Sequence, residues 1–425
     1  QVTIFYHGRP RDGLVHRPNA HGAPSVFADN WPNRARHWFP GEDHPSDKAT
    51  VAFVVDVPRD WRAIANGTLI AVDTLADGRT RWRWATDSPI PTYTMVIGAG
   101  RMAVTPLAST EGIPQSVWTF PQDSAYAVEG PFRRAAEMLS AYATLIGPYP
   151  YSKLAHVESS TRFGGMENSS AIFYAEGSFR DQSLSEETVA HEIAHQWFGD
   201  AVTPRDWHHL WLSEGFASYL GPMFFELAGE APRFRDVMER NRRVYMASAV
   251  VDRPIIDTAA KDLFGLLNEN NYPKGAWVLH MLRAEVGDSV LVRGLRTFYA
   301  TFRDSTVLSS DFAAVMTQAA GRPLEEFFRQ WLLQPGYPKV RAAWSYQGER
   351  LTLELRQAQP EGWGAFKLRL PVRAELANGE VVDFVVRVEG AAATIERPLP
   401  ARPTRLLLDP EATLLMEVVE VTERR

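Results

Sequence analysis

The sequence predicts an α+β chain of several domains: a β-rich opening, a mixed α/β middle and a β-only end. Three observations predict it. At 425 residues the chain is longer than the roughly 100–200 of one ordinary domain, so two to three are expected. Its apolar residues recur with period two near both ends and with helical period between them. Turn-forming clusters, Gly98-Ala99-Gly100 and Gly336-Tyr337-Pro338, fall near the changes of period. The expected division is a β-rich domain over 1–108, a mixed α/β domain over 109–338 and a β-sandwich over 339–425.

In the first part, 51–57 is a strand closed by Pro58, and 68–72 is a strand following the turn dipeptide Asn66-Gly67. Arg81-Trp82-Arg83-Trp84 alternates as a half-exposed strand does, and 90–97 is a strand interrupted by Pro91. In the middle, Pro131 suits the first position of a helix running to Ile146, before Gly147-Pro148. Ser183-Leu184-Ser185-Glu186 matches a capping box ahead of a periodic run over 189–198. His156-Val157-Glu158-Ser159 reads as the end of a strand, with a loop after it able to form an extended pairing edge. Helices are expected over 273–286, about 288–303, 310–319 and 323–333. Short strands over 351–355, 366–370, 381–388 and 406–408 have sandwich-like spacing.

Composition excludes several functions. With 45% apolar and 23% charged residues the chain is globular, and no run approaches the ~18 apolar residues of a membrane span. A net charge of −6 without a basic block speaks against nucleic acid. There is no cysteine, so a metal must sit on His, Asp or Glu. The chain begins at Gln1 with no visible signal peptide, which reads as processing or truncation and leaves the compartment open, cytoplasmic or exported. A monomer is expected.

The chemistry concentrates in Val189-Ala190-His191-Glu192-Ile193-Ala194-His195. Histidines at i and i+4 lie one above the other on a helix, so both reach one ion, and Glu192 projects beside them. A catalytic zinc takes three protein ligands and keeps one position open, and Glu214 in Trp211-Leu212-Ser213-Glu214-Gly215 supplies the third. His208-His209 point ~100° apart on a helix and, like the lone His44, His156 and His280, read as structural or surface residues. Glu187 and Asp200 read either as orienters of an imidazole or as plain helix charge.

These residues resemble the thermolysin-like (gluzincin) zinc aminopeptidases, the family of aminopeptidase N and leukotriene hydrolase. The likeness rests on HEIAHQWFGD at 191–200 with WLSEGFA at 211–217, on Gly164-Gly165-Met166-Glu167-Asn168, similar to the family's GxMEN, and on Tyr272-Pro273-Lys274-Gly275, similar to its YxKG. The resemblance implies a β-rich N-terminal domain, a thermolysin-like catalytic domain with one Zn2+ on His191, His195 and Glu214, and a C-terminal sandwich. It implies Glu192 as the base acting on a metal-activated water and Tyr272 as donor to the oxyanion. It implies peptide substrates with a free N-terminus, their amine held by Glu167 beside Gly164, Gly165, Met166 and Asn168.

The family's first strands look missing from 1–108 and its large C-terminal helical domain is not in the sequence, which suggests a missing N-terminal segment and a more open cleft. Trp31 stands where many members place a Gln or Glu that also holds the amine, with Asp29 and Asn30 as neighbouring substitutes. Gly221 stands where many carry a Glu. The alternatives are a zinc endopeptidase, against which Glu167 argues, an inactive scaffold, against which the intact set argues, and the epoxide hydrolysis of one branch that shares GGMEN.

Overall fold

A computed structural model describes residues 2–424. The chain is mixed α/β with a β-rich N-terminal part. There, the hairpin Leu14–Pro18 and Pro24–Ala28 continues through Ile97–Gly100 to Arg62–Ala65 as one sheet. Ala52–Val57, Thr80–Ala85 and Thr68–Thr74 form a second. The expected strand over 90–97 is broken. Pro91 has no N–H for a ladder, and Thr92–Thr94 form a 3-10 turn before pairing resumes at Ile97.

A five-stranded sheet carries the middle of the chain, in the order Ala103–Thr110, Ile113–Thr119, Leu154–Ser159, Ala171–Ala175, Gly165–Met166. Ile113–Thr119, Leu154–Ser159 and Ala171–Ala175 are mutually parallel. Leu154–Ser159 is buried at every position, as a central strand covered on both faces must be. Gly165–Met166 pairs antiparallel with Ala171–Ala175 and forms the sheet's edge.

Helices pack against this sheet. Ala135–Leu145 begins later than Pro131, because Phe132–Arg134 form a separate turn closed by Ala135 N donating to Phe132 O. Trp211–Leu227 and Ala231–Met246 were not singled out by pattern. The former is buried nearly all round and contains Gly215, Gly221 and Pro222, so it has no polar face to mark its period. Gly275–Val286, Asp288–Phe302, Ser309–Ala320 and Glu325–Leu333 agree with expectation. The stretch before Gly275 is a π-helical turn, Asn270–Lys274, since Pro273 cannot donate to the preceding turn.

After Pro338 two sheets follow, Ala392–Pro398, Arg350–Gln357, Lys339–Gln347, Glu417–Glu423 and Val381–Val388, Leu368–Leu376, Pro403–Leu408. Alternate residues such as Leu351, Leu353 and Leu355, or Leu370, Val372 and Ala374, are buried. They join one apolar cluster continuous with Trp331 and Tyr337 of the helical part. No helix among the described residues is long and apolar enough to cross a membrane.

Candidate metal centre and substrate cleft

The helix Glu186–His195 starts at Ser185, whose hydroxyl accepts from Thr188 N at 3.1 Å. The cap therefore lies two residues beyond the Ser183 of the expected box, and the helix stops at His195 rather than 198. Gly199, at φ +126°, turns the chain there; a Cβ on it would meet Ser213 Oγ at 2.5 Å and His195 Nδ1 at 2.9 Å. Val189, Ala190, Ile193 and Ala194 are buried and fix the helix on the sheet, with the Tyr142 hydroxyl donating to Ala190 O and Leu220 O.

His191 Nε2 and His195 Nε2 are 3.0 Å apart, and Glu214 Oε2 lies 3.4 and 3.2 Å from them. Ligand atoms ~2.1 Å from one ion at tetrahedral angles stand about 3.4 Å apart, so this triangle fits a zinc. Glu214 Oε2 is buried without a hydrogen-bond donor, which a cation would satisfy. The tautomer fits as well. His195 Nδ1 lies 3.2 Å from Phe198 O and 3.0 Å from Ser213 Oγ, so its N–H points there and Nε2 keeps a lone pair. The residues present suit the metal in count, spacing and donor type.

Glu192 is buried beside this set, and its Oε2 has no donor. Burial, with Glu167 and Glu214 close by, holds its carboxyl well above the usual range. Glu167 is also buried, and ligand atoms of Glu167, Glu192 and His195 lie within 4.8 Å of one another. Desolvation pushes Glu167 up to about 7, Glu214 adding to the shift and His195 opposing it. Tyr272 comes from the π-helical turn. Its ring stacks on that of His191 at 6.2 Å and 3°, and burial and then the Glu214 carboxylate raise its hydroxyl well above the ordinary value.

Gly164, Gly165, Met166, Glu167 and Asn168 form the edge strand and its turn, closed by Ala171 N donating to Asn168 O at 2.8 Å. Gly164, Gly165, Met166 and Glu167 line a cleft of about 240 Å³ with Trp31, Phe163, Glu192, Leu267 and Tyr272, while Asn168 is buried behind it and does not line it. Gly165 faces Glu192: a Cβ there would fall 2.1 Å from Glu192 Oε1. A second hollow of about 260 Å³ adjoins His191 and Glu192 on the side of Pro222 and Asn241.

Sequence reasoning missed Gln196. Its Nε2 donates to Glu167 O at 2.7 Å and to Asp200 Oδ2 at 2.9 Å, while Oε1 accepts from Ser170 N at 2.8 Å. It thus ties the turn bearing Glu167 to the end of the histidine helix. Its neighbour in sequence, His195, was the only signal. Ser213 was missed too. Glu187 pairs with Arg240 and Asp200 takes the Gln196 amide, so neither touches an imidazole nitrogen.

Asp29 binds Arg34 at 2.5 Å and Arg162 at 3.3 Å, and the Asn30 amide donates to Met95 O at 2.6 Å. Both are spent on framing the N-terminal part. Trp31 is buried edge-to-face against Phe163, Trp207 and Phe264. At Gly221 the two helices lie close: a Cβ would stand 3.3 Å from the His191 backbone. His208 bonds Asp206 and Ala260 O, His209 bonds Ser309, His44 bonds Ser46, His156 faces Tyr174 and His280 faces Ala412 O.

A mixed α/β frame with these donors defines a protein of the metallopeptidase class. Residues 132–331 match the peptidase family M1 domain and residues 11–94 the peptidase M1 N-terminal domain, and the chain belongs to peptidase family M1. It is 27% identical over 84% of its length to probable aminopeptidase 2 of Sulfurisphaera tokodaii, covering 47% of that protein. It is 28% identical over 84% to leucyl aminopeptidase of Saccharolobus solfataricus, covering 46%. It is 30% identical over 83% to tricorn protease-interacting factor F2 of Thermoplasma acidophilum, covering 46%. The chain spans less than half the length of these curated relatives.

Proposed function

We propose that this chain is a zinc aminopeptidase unit that removes the N-terminal residue from peptides. One observation carries the reading: the Glu167 carboxylate lies within 4.8 Å of Glu192 and His195. The α-nitrogen and carbonyl carbon of one residue are ~2.5 Å apart, so an ammonium paired with Glu167 brings the first peptide bond, and no later one, to Glu192. Trp31 and Phe163 line the same cleft as Glu167.

His191, His195 and Glu214 would hold the zinc. When bound, it polarises a carbonyl and lowers the pKa of water. Glu192 takes the proton of the attacking water and passes it to the leaving amine, which suits a buried base with a raised pKa. Tyr272 donates its hydroxyl to the oxyanion. The backbone of Gly165–Met166 offers the peptide an unpaired strand edge. The hollow beside Pro222 and Asn241 lies where the remainder of the peptide would leave.

We read the chain as three units, 1–108, 109–338 and 339–425, the last a β-sandwich. In support, each of the two final sheets buries alternate residues.

The test is a panel of amino-acid chromogenic amides beside internally quenched N-acetylated peptides, each with chelator and with zinc restored. Hydrolysis of free-amine substrates alone, abolished by chelation and recovered with zinc, is expected. Equal rates on free and acetylated peptides would replace this reading with an endopeptidase.

A further inference from the structure

We propose that His21, Asp123 and Glu158 form a second divalent-cation site, made of other residues than the His191–His195–Glu214 set, which ties the N-terminal hairpin to the central sheet. Its donors, one imidazole and two carboxylates, suit a first-row ion such as zinc or manganese better than calcium.

The site follows from topology. Ile113–Thr119, Leu154–Ser159 and Ala171–Ala175 are parallel, so their carboxyl ends lie side by side, where open α/β sheets commonly bind ligands. An acidic residue comes from each end. Asp123 sits in the turn after the first strand, Glu158 near the end of the second, and Glu176 opens the helix after the third. Over them folds the tip of the hairpin Leu14–Pro18 and Pro24–Ala28.

That tip is fixed by its own bonds. Asn19 Oδ1 accepts from His21 N and Ala23 N, each at 3.0 Å, and Ala20 N donates to Glu176 Oε2 at 2.7 Å. His21 Nε2 then lies 2.6 Å from Asp123 Oδ2. One ligand atom from each of His21, Asp123 and Glu158 lies within 4.8 Å of the others.

Glu158 itself points to a cation. The residue is fully buried; Oε2 accepts from Phe120 N at 2.8 Å, and Oε1 has no donor at all. Arg17 neutralises Glu176, which leaves Asp123 and Glu158 with His21 alone. Burial, reinforced by Asp123 and Glu176, pushes Glu158 up to about 9, so the pocket takes either a proton or a metal. The ground for the metal is the unpaired Oε1 of a fully buried carboxylate, with the Asp123–His21 pair converging beside it.

The test is metal content per chain after equilibration with zinc, or with manganese, and gel filtration. The native protein should carry two equivalents and His21→Ala and Asp123→Asn one each. His21 lies at a hairpin tip with its side chain 24% exposed, so its loss should leave the fold intact. In His191→Ala the remaining equivalent should vanish when His21→Ala is added, and added zinc should raise the Tm of His191→Ala but not of the double variant. One equivalent in the native protein, or two retained in both His21→Ala and Asp123→Asn, would overturn the site. A second equivalent taken from calcium but from neither zinc nor manganese would overturn the donor assignment.

Discussion

Gly215 and Gly275 meet back to back. A Cβ on Gly275 would stand 2.8 Å from Gly215 Cα, and one on Gly215 would stand 2.9 Å from Gly275 Cα. Glu214 directly precedes the one and Tyr272 lies just before the other, so a contact between two bare backbones sets the spacing of Glu214 and Tyr272. Gly275→Ala should therefore cost ~1–3 kcal/mol of stability by overpacking. It should also lower kcat by ~10–100-fold through displacement of Tyr272, with zinc retained. Thermal unfolding, metal analysis and initial rates read the three quantities. A variant with native Tm and native kcat would mean that the helices part there without consequence.

Glu192 is buried with one oxygen lacking a donor and lies outside the His191–His195–Glu214 group, though it is grouped with His195 and Glu167. Glu192→Gln keeps the shape and removes the base. Turnover should fall by at least ~10²–10⁴-fold while zinc content stays at the native level. Loss of zinc in this variant would make Glu192 a ligand and force a new assignment of the set.

Tyr272 stacks flat against His191, so Tyr272→Phe leaves the ring contact in place and removes only the hydroxyl. Loss of one oxyanion donor should depress kcat by ~10²–10³-fold with little change in KM. An effect confined to KM would make the hydroxyl a substrate-binding group instead.

What was legible in the sequence was what repeats or what reacts. The histidine helix could be read because its apolar residues keep a 3.6 period and its two imidazoles keep i, i+4. The alternation in Leu351, Leu353 and Leu355 gave away a half-buried strand in the same manner. Gln196 and Ser213 could not be read. Their work is done through hydrogen bonds to backbone and imidazole, which impose no spacing on the sequence. Trp211–Leu227 hid because burial on all sides erases periodicity, and its glycines are contact points against His191 and Gly275. Asp29 and Asn30 looked free to bind an amine because sequence does not reveal that Arg34, Arg162 and Met95 O already occupy them.

His156 is a lone histidine whose titration opposes folding. It is fully buried, stacked on Phe132, and burial depresses its pKa from 6.5 to about 3. The folded chain keeps it neutral while the unfolded chain takes up a proton below 6.5. Its contribution is thus complete above that pH and is lost as pH falls from 6.5 towards 3. Between pH 7 and pH 5 the loss should be about 2 kcal/mol. Urea unfolding at the two pH values should show a smaller difference in His156→Leu than in the native protein. Equal pH dependence in both would show that His156 charges inside the fold or that another group dominates.

On the proposed reading Glu167 would separate an aminopeptidase from a general protease, and its environment would set the size of the effect. With Asp29 and Asn30 engaged elsewhere and Trp31 packed among aromatic rings, no second polar group from that segment shares the amine. Truncating one partner of a buried ion pair costs roughly 2–5 kcal/mol, whichever partner is removed. Glu167→Ala should therefore lose at least ~30-fold in kcat/KM on free-amine substrates. Acetylating the substrate should cost the native enzyme a similar factor. The two changes remove the same contact, so together they should cost little more than either alone, a coupling that independent sites would not give. The acid limb offers a second reading. Burial raises the Glu167 carboxyl above the ordinary carboxylate range, and it must be ionised to hold an ammonium. On free-amine substrates kcat/KM should fall on the acid side as this carboxyl takes up a proton, and Glu167→Gln should lose this component while keeping any limb due to Glu192. Additive losses for the variant and the acetylated substrate would place the amine elsewhere in the cleft and leave Glu167 a structural carboxylate.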